Sequence, residues 1–153
     1  MTSVADHLAE LGLELPPVSK PVAAYVPAVV TGNLVFTAGQ LPFVSGTLAA
    51  TGKFGGEVAA SDGAALARIC ALNALAAAES VIGSLDRVTR VVKVVAFVAS
   101  TTDFTGQPGV ANGASELLGQ LFGDAGQHAR SAVGVPVLPL DAPVEVELIL
   151  EFA

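Results

Sequence analysis

Residues 128–152 read His-Ala-Arg-Ser-Ala-Val-Gly-Val-Pro-Val-Leu-Pro-Leu-Asp-Ala-Pro-Val-Glu-Val-Glu-Leu-Ile-Leu-Glu-Phe, and they hold the densest set of groups able to do chemistry. Arg130 heads an apolar segment in a chain with only seven Lys and Arg residues. A guanidinium there asks for an anion, and its planar fork of donors suits a carboxylate better than an ammonium would. A surface ion pair is the competing reading. Glu145, Glu147 and Glu151 alternate along the following segment, so Glu145 is a candidate base or an ordinary outward acid. His128, two residues before the arginine, is the candidate proton carrier. Ser131 has no evident His–Asp partnership, so a hydrolytic triad is unsupported. His7 falls in an N-terminal arm where solvent is expected. Cys70, the one cysteine, lies in an Ala/Leu pattern and reads as a small buried group. It leaves no disulfide within the chain and no cysteine zinc set, and no metal or cofactor motif is expected.

These side chains need a scaffold, and at 153 residues the length prior gives one domain with a sizeable core. Residues 3–12 predict a short helix capped by Ser3 and closed by Gly12, followed by an extended arm set by Pro16, Pro17 and Pro21. Residues 24–31 and 33–41 predict strands about the Thr31-Gly32-Asn33 turn, with Pro27 restricting the first to an edge or bulge. Residues 43–60 read as a Gly-rich loop, too loose for a phosphate cradle. A helix is expected from Ser61 to about Ile82, stopped by Gly83. Val88–Ser100 predicts a strand apolar on both faces, hence central in a sheet covered on both sides. A second helix over 110–121 and two terminal strands complete the pattern. The order predicts an α+β sandwich with two main helices on one face of a mixed sheet.

Composition narrows the partners. Net charge is −7, and of the cations only Arg87, Arg90 and Lys93 lie close together, which argues against nucleic acid. Apolar runs such as Val94–Ala99 are far short of the roughly 20 residues a membrane span needs. The hydrophobic fraction of 52% with 14% charged residues suggests that some surface is hidden in an oligomer. The opening residues lack a basic and an apolar region of signal type, so a cytoplasmic setting is expected.

Three motifs in order resemble the reactive-intermediate deaminase family, also called Rid, YjgF or endoribonuclease L-PSP-like. They are Gly32-Asn33-Leu34-Val35-Phe36-Thr37-Ala38-Gly39-Gln40-Leu41-Pro42, then Asp86-Arg87-Val88 leading into Val91–Val98, and Ala129-Arg130-Ser131 with Leu138-Pro139 and Val144-Glu145-Val146-Glu147. The resemblance runs from about Val22 to Phe152 and makes residues 1–21 an added helix and arm before a domain at 22–153. It implies a chorismate-mutase-like fold, assembly as a homotrimer with clefts between subunits, and cofactor-free hydrolysis of small 2-imino acids to keto acid and ammonia. Under it Arg130 takes the substrate carboxylate, and Glu145 handles water with help from the Ala132 carbonyl. Gly39 offers a backbone N–H, Tyr25 covers the ligand across a subunit cleft, and Asn112 fills a polar position.

The chain departs from that pattern in three places. Ala132 stands where the family often has cysteine, Ala23-Ala24-Tyr25-Val26-Pro27 replaces a Gly-Pro-Tyr entry, and the arm and 43–60 loop are additions. A non-catalytic trimer that binds small carboxylic acids is the alternative, and a ribonuclease is a third reading that charge disfavours. If the terminal strands pair as an antiparallel hairpin, an odd index sum puts Arg130 and Glu145 on one face and an even sum separates them.

Overall fold

The computed structural model describes residues 2–18, 20–21 and 23–153; Val22, where the resemblance begins, lies outside the described residues. Helix α1 spans Val4–Glu10. Its capping box is complete: the Ser3 hydroxyl accepts from the Asp6 N–H, and the Asp6 carboxylate accepts from the Ser3 N–H, both at 3.0 Å. Val4 and Leu8 enter the main core. The Val4 N–H donates to Asp86 at 2.7 Å, and His7 Nδ1 donates to the Leu121 carbonyl at 2.9 Å. Helix α1 is therefore packed onto the rest of the domain. His7 is half-buried rather than solvated because it caps an otherwise unpaired carbonyl near a helix end.

Strands β1 (Ala28–Thr31) and β2 (Leu34–Thr37) form the expected hairpin, with Gly32 at φ 58° supplying the left-handed turn. Pro27 stays just outside β1, an edge strand. The 43–60 segment contains a small hairpin of β3 (Phe43–Val44) and β4 (Thr47–Leu48). Helix α2 (Gly63–Ile82) stops at Gly83, whose φ of 90° no L side chain adopts readily. Then follow β5 (Val88–Ala99), α3 (Gln107–Phe122), β6 (Ala129–Val135) and β7 (Val144–Phe152). Among the described residues only the α2 segment is long and apolar enough to cross a membrane, yet two-thirds of its most apolar window, 67%, is buried inside the fold. An apolar core helix passes the same test.

The five-stranded sheet has the order β1-β2-β7-β5-β6, with β5 and β6 parallel and the other pairs antiparallel. Helix α2 lies over β1, β2 and β7, and α3 over β5 and β6, on one face. This is the α+β architecture that the pattern predicted. The terminal hairpin is not formed: β5 lies between β6 and β7. Its apolar middle takes two neighbours, and the link over 136–143 is long enough to cross one intervening strand, roughly 10 Å.

Strand β7 alternates cleanly. Val144, Val146, Leu148 and Leu150 face the helices, and Glu145, Glu147, Ile149 and Glu151 face away. In β5 a bulge between Val91 and Lys93 lets both Val91 and Val94 point inward. Within one chain the second sheet face is covered only in part, where Leu138 and Ala142 form a small cluster with Ala99 against which Leu41, Leu48 and Phe97 pack. Val29, Phe36 and Val133 stand on the rest of it at 53%, 39% and 46% exposure, so the covering expected on both sides of β5 is complete on one side and partial on the other.

Candidate functional site

Strand β2 leaves the β7 ladder after Phe36 and rejoins it at Gln40, which exchanges both backbone hydrogen bonds with Val146. One extra residue is accommodated between these points, and the Thr37 hydroxyl accepts the Leu148 N–H at 3.0 Å in place of a backbone carbonyl. The bulge sets Gly39 directly against Glu145. A Cβ at Gly39 would occupy the place of Glu145 Oε1 and lie 2.7 Å from its Cδ. Glycine here leaves room for the carboxylate in the rotamer it adopts.

Glu145 lines a cavity of about 410 Å³ with Tyr25, Gly39, Leu41, Phe43 and Leu140. Asn73, a buried amide on α2 that the sequence reading passed over, shapes one wall by donating to the carbonyls of Leu41 and Phe43 at 3.1 Å each. At the rim, Leu140 and the following Asp141 both hold left-handed backbone, φ 59° and 60°, which strains non-glycine residues. Leu140 is consequently presented to solvent at 69% exposure. Lys20 also lines the cavity, and no pattern in the sequence marked it. Half burial of Glu145 raises its carboxyl above the usual range, with the Glu147 carboxylate adding to the effect.

That shift has a consequence for stability. A folded-state value above the unfolded one means that the native chain holds the Glu145 proton more tightly. Stability then falls as pH rises through the interval between the two values and stays reduced above it. Glu145→Gln should therefore unfold at higher urea than the parent at pH 7, with the difference shrinking toward pH 4. Urea midpoints at the two pH values measure this; a less stable variant at pH 7 would contradict it.

Arg130 lies elsewhere. Its register with Val94, which in turn faces Leu148, puts it on the helix side of the sheet, whereas Glu145 pairs with Phe97 on the open side. Within one chain the two are on opposite faces, about 10 Å apart across two strand spacings and about 10 Å along the strands. The odd-or-even question about their register dissolves, because the intervening β5 sets both registers. Ala132, level with the buried Ala96, shares the Arg130 side and does not approach Glu145.

Around Arg130 a second cluster forms. Its Nη1 donates to Asn112 Oδ1 at 2.8 Å and to Ser115 Oγ at 3.2 Å, two residues one turn apart on α3. Ser115 Oγ is also 2.8 Å from His128 Nε2, and His128 Nδ1 is 2.6 Å from the Gly126 carbonyl. Asn112 and His128 thus join Arg130, while Tyr25 and Gly39 join Glu145. Ser115 was missed, since a lone serine in a helix carries no signal until a strand residue is known to face it.

A mixed sheet backed by two helices on one face is the frame of a known class. The chain belongs to the family described as YjgF/chorismate mutase-like, "putative endoribonuclease", whose pattern matches residues 5–152. Among its relatives, Protein TCP17 of Trypanosoma cruzi is 44% identical over 151 residues, which is 97% of this chain and 93% of that one. Atu1372 of Agrobacterium tumefaciens, a protein of unknown function, superposes with a TM-score of 0.92 at 41% identity, covering 98% and 92% of the two chains. E. coli TdcF with bound serine superposes at 0.61 with 25% identity, covering 89% and 94%.

Proposed function

We propose that the protein is a cofactor-free hydrolase of small 2-imino acids whose site is completed between copies of the chain. The observation that carries this reading is Glu145, a half-buried carboxyl with a raised proton affinity, set in a largely apolar cavity of about 410 Å³ beside Gly39 and Tyr25. Such a group holds its proton to higher pH than an ordinary carboxyl, which suits it to proton exchange. The cavity suits a small substrate with an apolar side chain.

The carboxylate of the substrate then needs a cation, and Arg130 of a second copy is the natural donor. Both hydrogens of its Nη1 serve Asn112 and Ser115. A bidentate grip therefore uses the Nε–Nη2 edge. It stands on β6, an edge strand, and the open sheet face carries the exposed apolar residues Val29, Phe36 and Val133 that an assembly would cover. A homotrimer with its open faces inward is the arrangement we propose. TdcF, a family member of known structure, binds serine, a small molecule that also bears a carboxylate.

In the reaction, a water oxygen bonds to the imine carbon and the C=N π pair moves to nitrogen. Glu145 takes the water proton and passes it to that nitrogen, giving a carbinolamine. Through the same carboxylate the remaining hydroxyl proton reaches nitrogen, the C–N bond breaks, and keto acid and ammonia leave. Positioning by Arg130 and proton handling by Glu145 supply the rate.

The test is ammonia release from imines generated in situ by an amino-acid oxidase, with light scattering on the same sample. Turnover by an oligomer supports the reading. A monomer that turns over imine, or an oligomer that keto acids protect against heat without any turnover, would overturn it; the second outcome favours a carboxylate-binding module. RNA cleavage abolished by Glu145→Gln would instead favour a nuclease, against a net charge of −7.

A further inference from the structure

We propose that Ser115 and His128 are a positioning pair that fixes the aim of Arg130, with His128 serving as a proton acceptor toward Ser115 and never exchanging a proton with substrate. This rests on the reading of Arg130 as the carboxylate anchor. The geometry runs in one direction. The Gly126 carbonyl can only accept, so His128 Nδ1, 2.6 Å away, carries the proton. The other ring nitrogen, Nε2, then holds a lone pair that faces Ser115 Oγ at 2.8 Å. Ser115 donates its single proton there, which turns its oxygen lone pairs toward the Arg130 Nη1 at 3.2 Å. The opposite tautomer would leave a lone pair against the Gly126 carbonyl and an N–H against the hydroxyl. A protonated ring would bring a second cation beside the guanidinium.

Each end of this chain is anchored in a rigid element. Gly126 ends a 3-10 turn and is buried, and a Cβ there would come within 2.9 Å of the Leu118 carbonyl carbon. Ser115 sits in the middle of α3, one turn beyond Asn112. The guanidinium is thus held through Nη1 by two acceptors of different kinds, and its free edge points in one direction. Asn112 alone would fix one hydrogen and leave rotation about that bond. The serine and histidine remove this freedom, which is the purpose of a supporting shell around a binding group.

The pair acts through Arg130, so its loss falls on binding more than on turnover. With pyruvate as the probe, Ser115→Ala should raise Kd about 5- to 10-fold, with KM for imine rising alongside and kcat changing less. Ser115→Thr, which keeps the hydroxyl, should recover most of the affinity. His128→Ala should weaken pyruvate by a similar factor, and the Ser115→Ala/His128→Ala double variant should be no weaker than either single one, because the two lie on one line of action. Nitrogen NMR of the imidazole should show His128 as the Nδ1–H tautomer in the parent. Additive losses in the double variant, or an Nε2–H tautomer, would overturn the proposal, as would normal pyruvate affinity in Ser115→Ala while Arg130→Ala abolishes binding. Undiminished pyruvate binding by Arg130→Ala would overturn the anchor reading beneath it instead.

Discussion

Glu145→Gln is expected to lower imine turnover about 10²- to 10⁴-fold while leaving keto-acid binding close to the parental value. The amide keeps the size of the side chain and its place against Gly39. What disappears is basicity, the one property that half burial and Glu147 have enhanced. Arg130→Ala should differ in kind: pyruvate affinity falls steeply, and turnover falls with it, because the substrate is no longer held beneath the attacking water. Titrating pyruvate against both variants and measuring ammonia release on the same preparations separates the roles. Parental turnover by Glu145→Gln would make Glu145 a strand-face acid and move proton transfer to another group.

The largest effect on stability is expected beside Asn112, on the part of α3 that packs on α2. Gly113 is buried on α3 where that helix meets α2. A Cβ there would land on the Ala64 carbonyl oxygen and within 2.7 Å of the Ala64 Cα, both backbone atoms that no rotamer change can move aside. Gly113→Ala must push the helices apart, and about 3 kcal/mol of destabilisation is the scale for such overpacking. In a domain of this size that lowers the melting temperature by roughly 6–12 °C. Gly109→Ala is the control on the same helix: its Cβ meets nothing within 4 Å, so better helix propensity should leave the protein equal or slightly more stable. Equal changes at the two positions would mean that the close approach of α3 to Ala64 does not govern stability here.

Local rules carried much of the architecture. The capping box at Ser3, the Gly32 turn, the stop at Gly83 and the apolar run of β5 are each decided by a few neighbouring residues, and each stands where the sequence predicts it. Partnership between the terminal strands did not follow, because chain proximity favours a hairpin, whereas the unpaired backbone groups on both edges of β5 take β6 on one side and β7 on the other. Residue types in the candidate site were legible, but their grouping was not. Arg130 and Glu145 belong to one sequence motif and to opposite sheet faces. Ser115 and Asn73 become visible only when tertiary contacts bring a histidine ring or two loop carbonyls to them.

The order β1-β2-β7-β5-β6 also sets a timetable for the nascent chain. β7 is the last of these strands to leave the ribosome, and it belongs in the middle of the sheet. Until it emerges, β2 has no partner on its inner side and β5 lacks one of its two, while the apolar faces of α2 and α3 wait for Val144, Val146, Leu148 and Leu150. Synthesis at roughly 5–20 residues per second leaves these edges open for seconds, long on the scale of collapse and hairpin formation. The core therefore closes late, when β7 joins the sheet, rather than progressively as the chain lengthens.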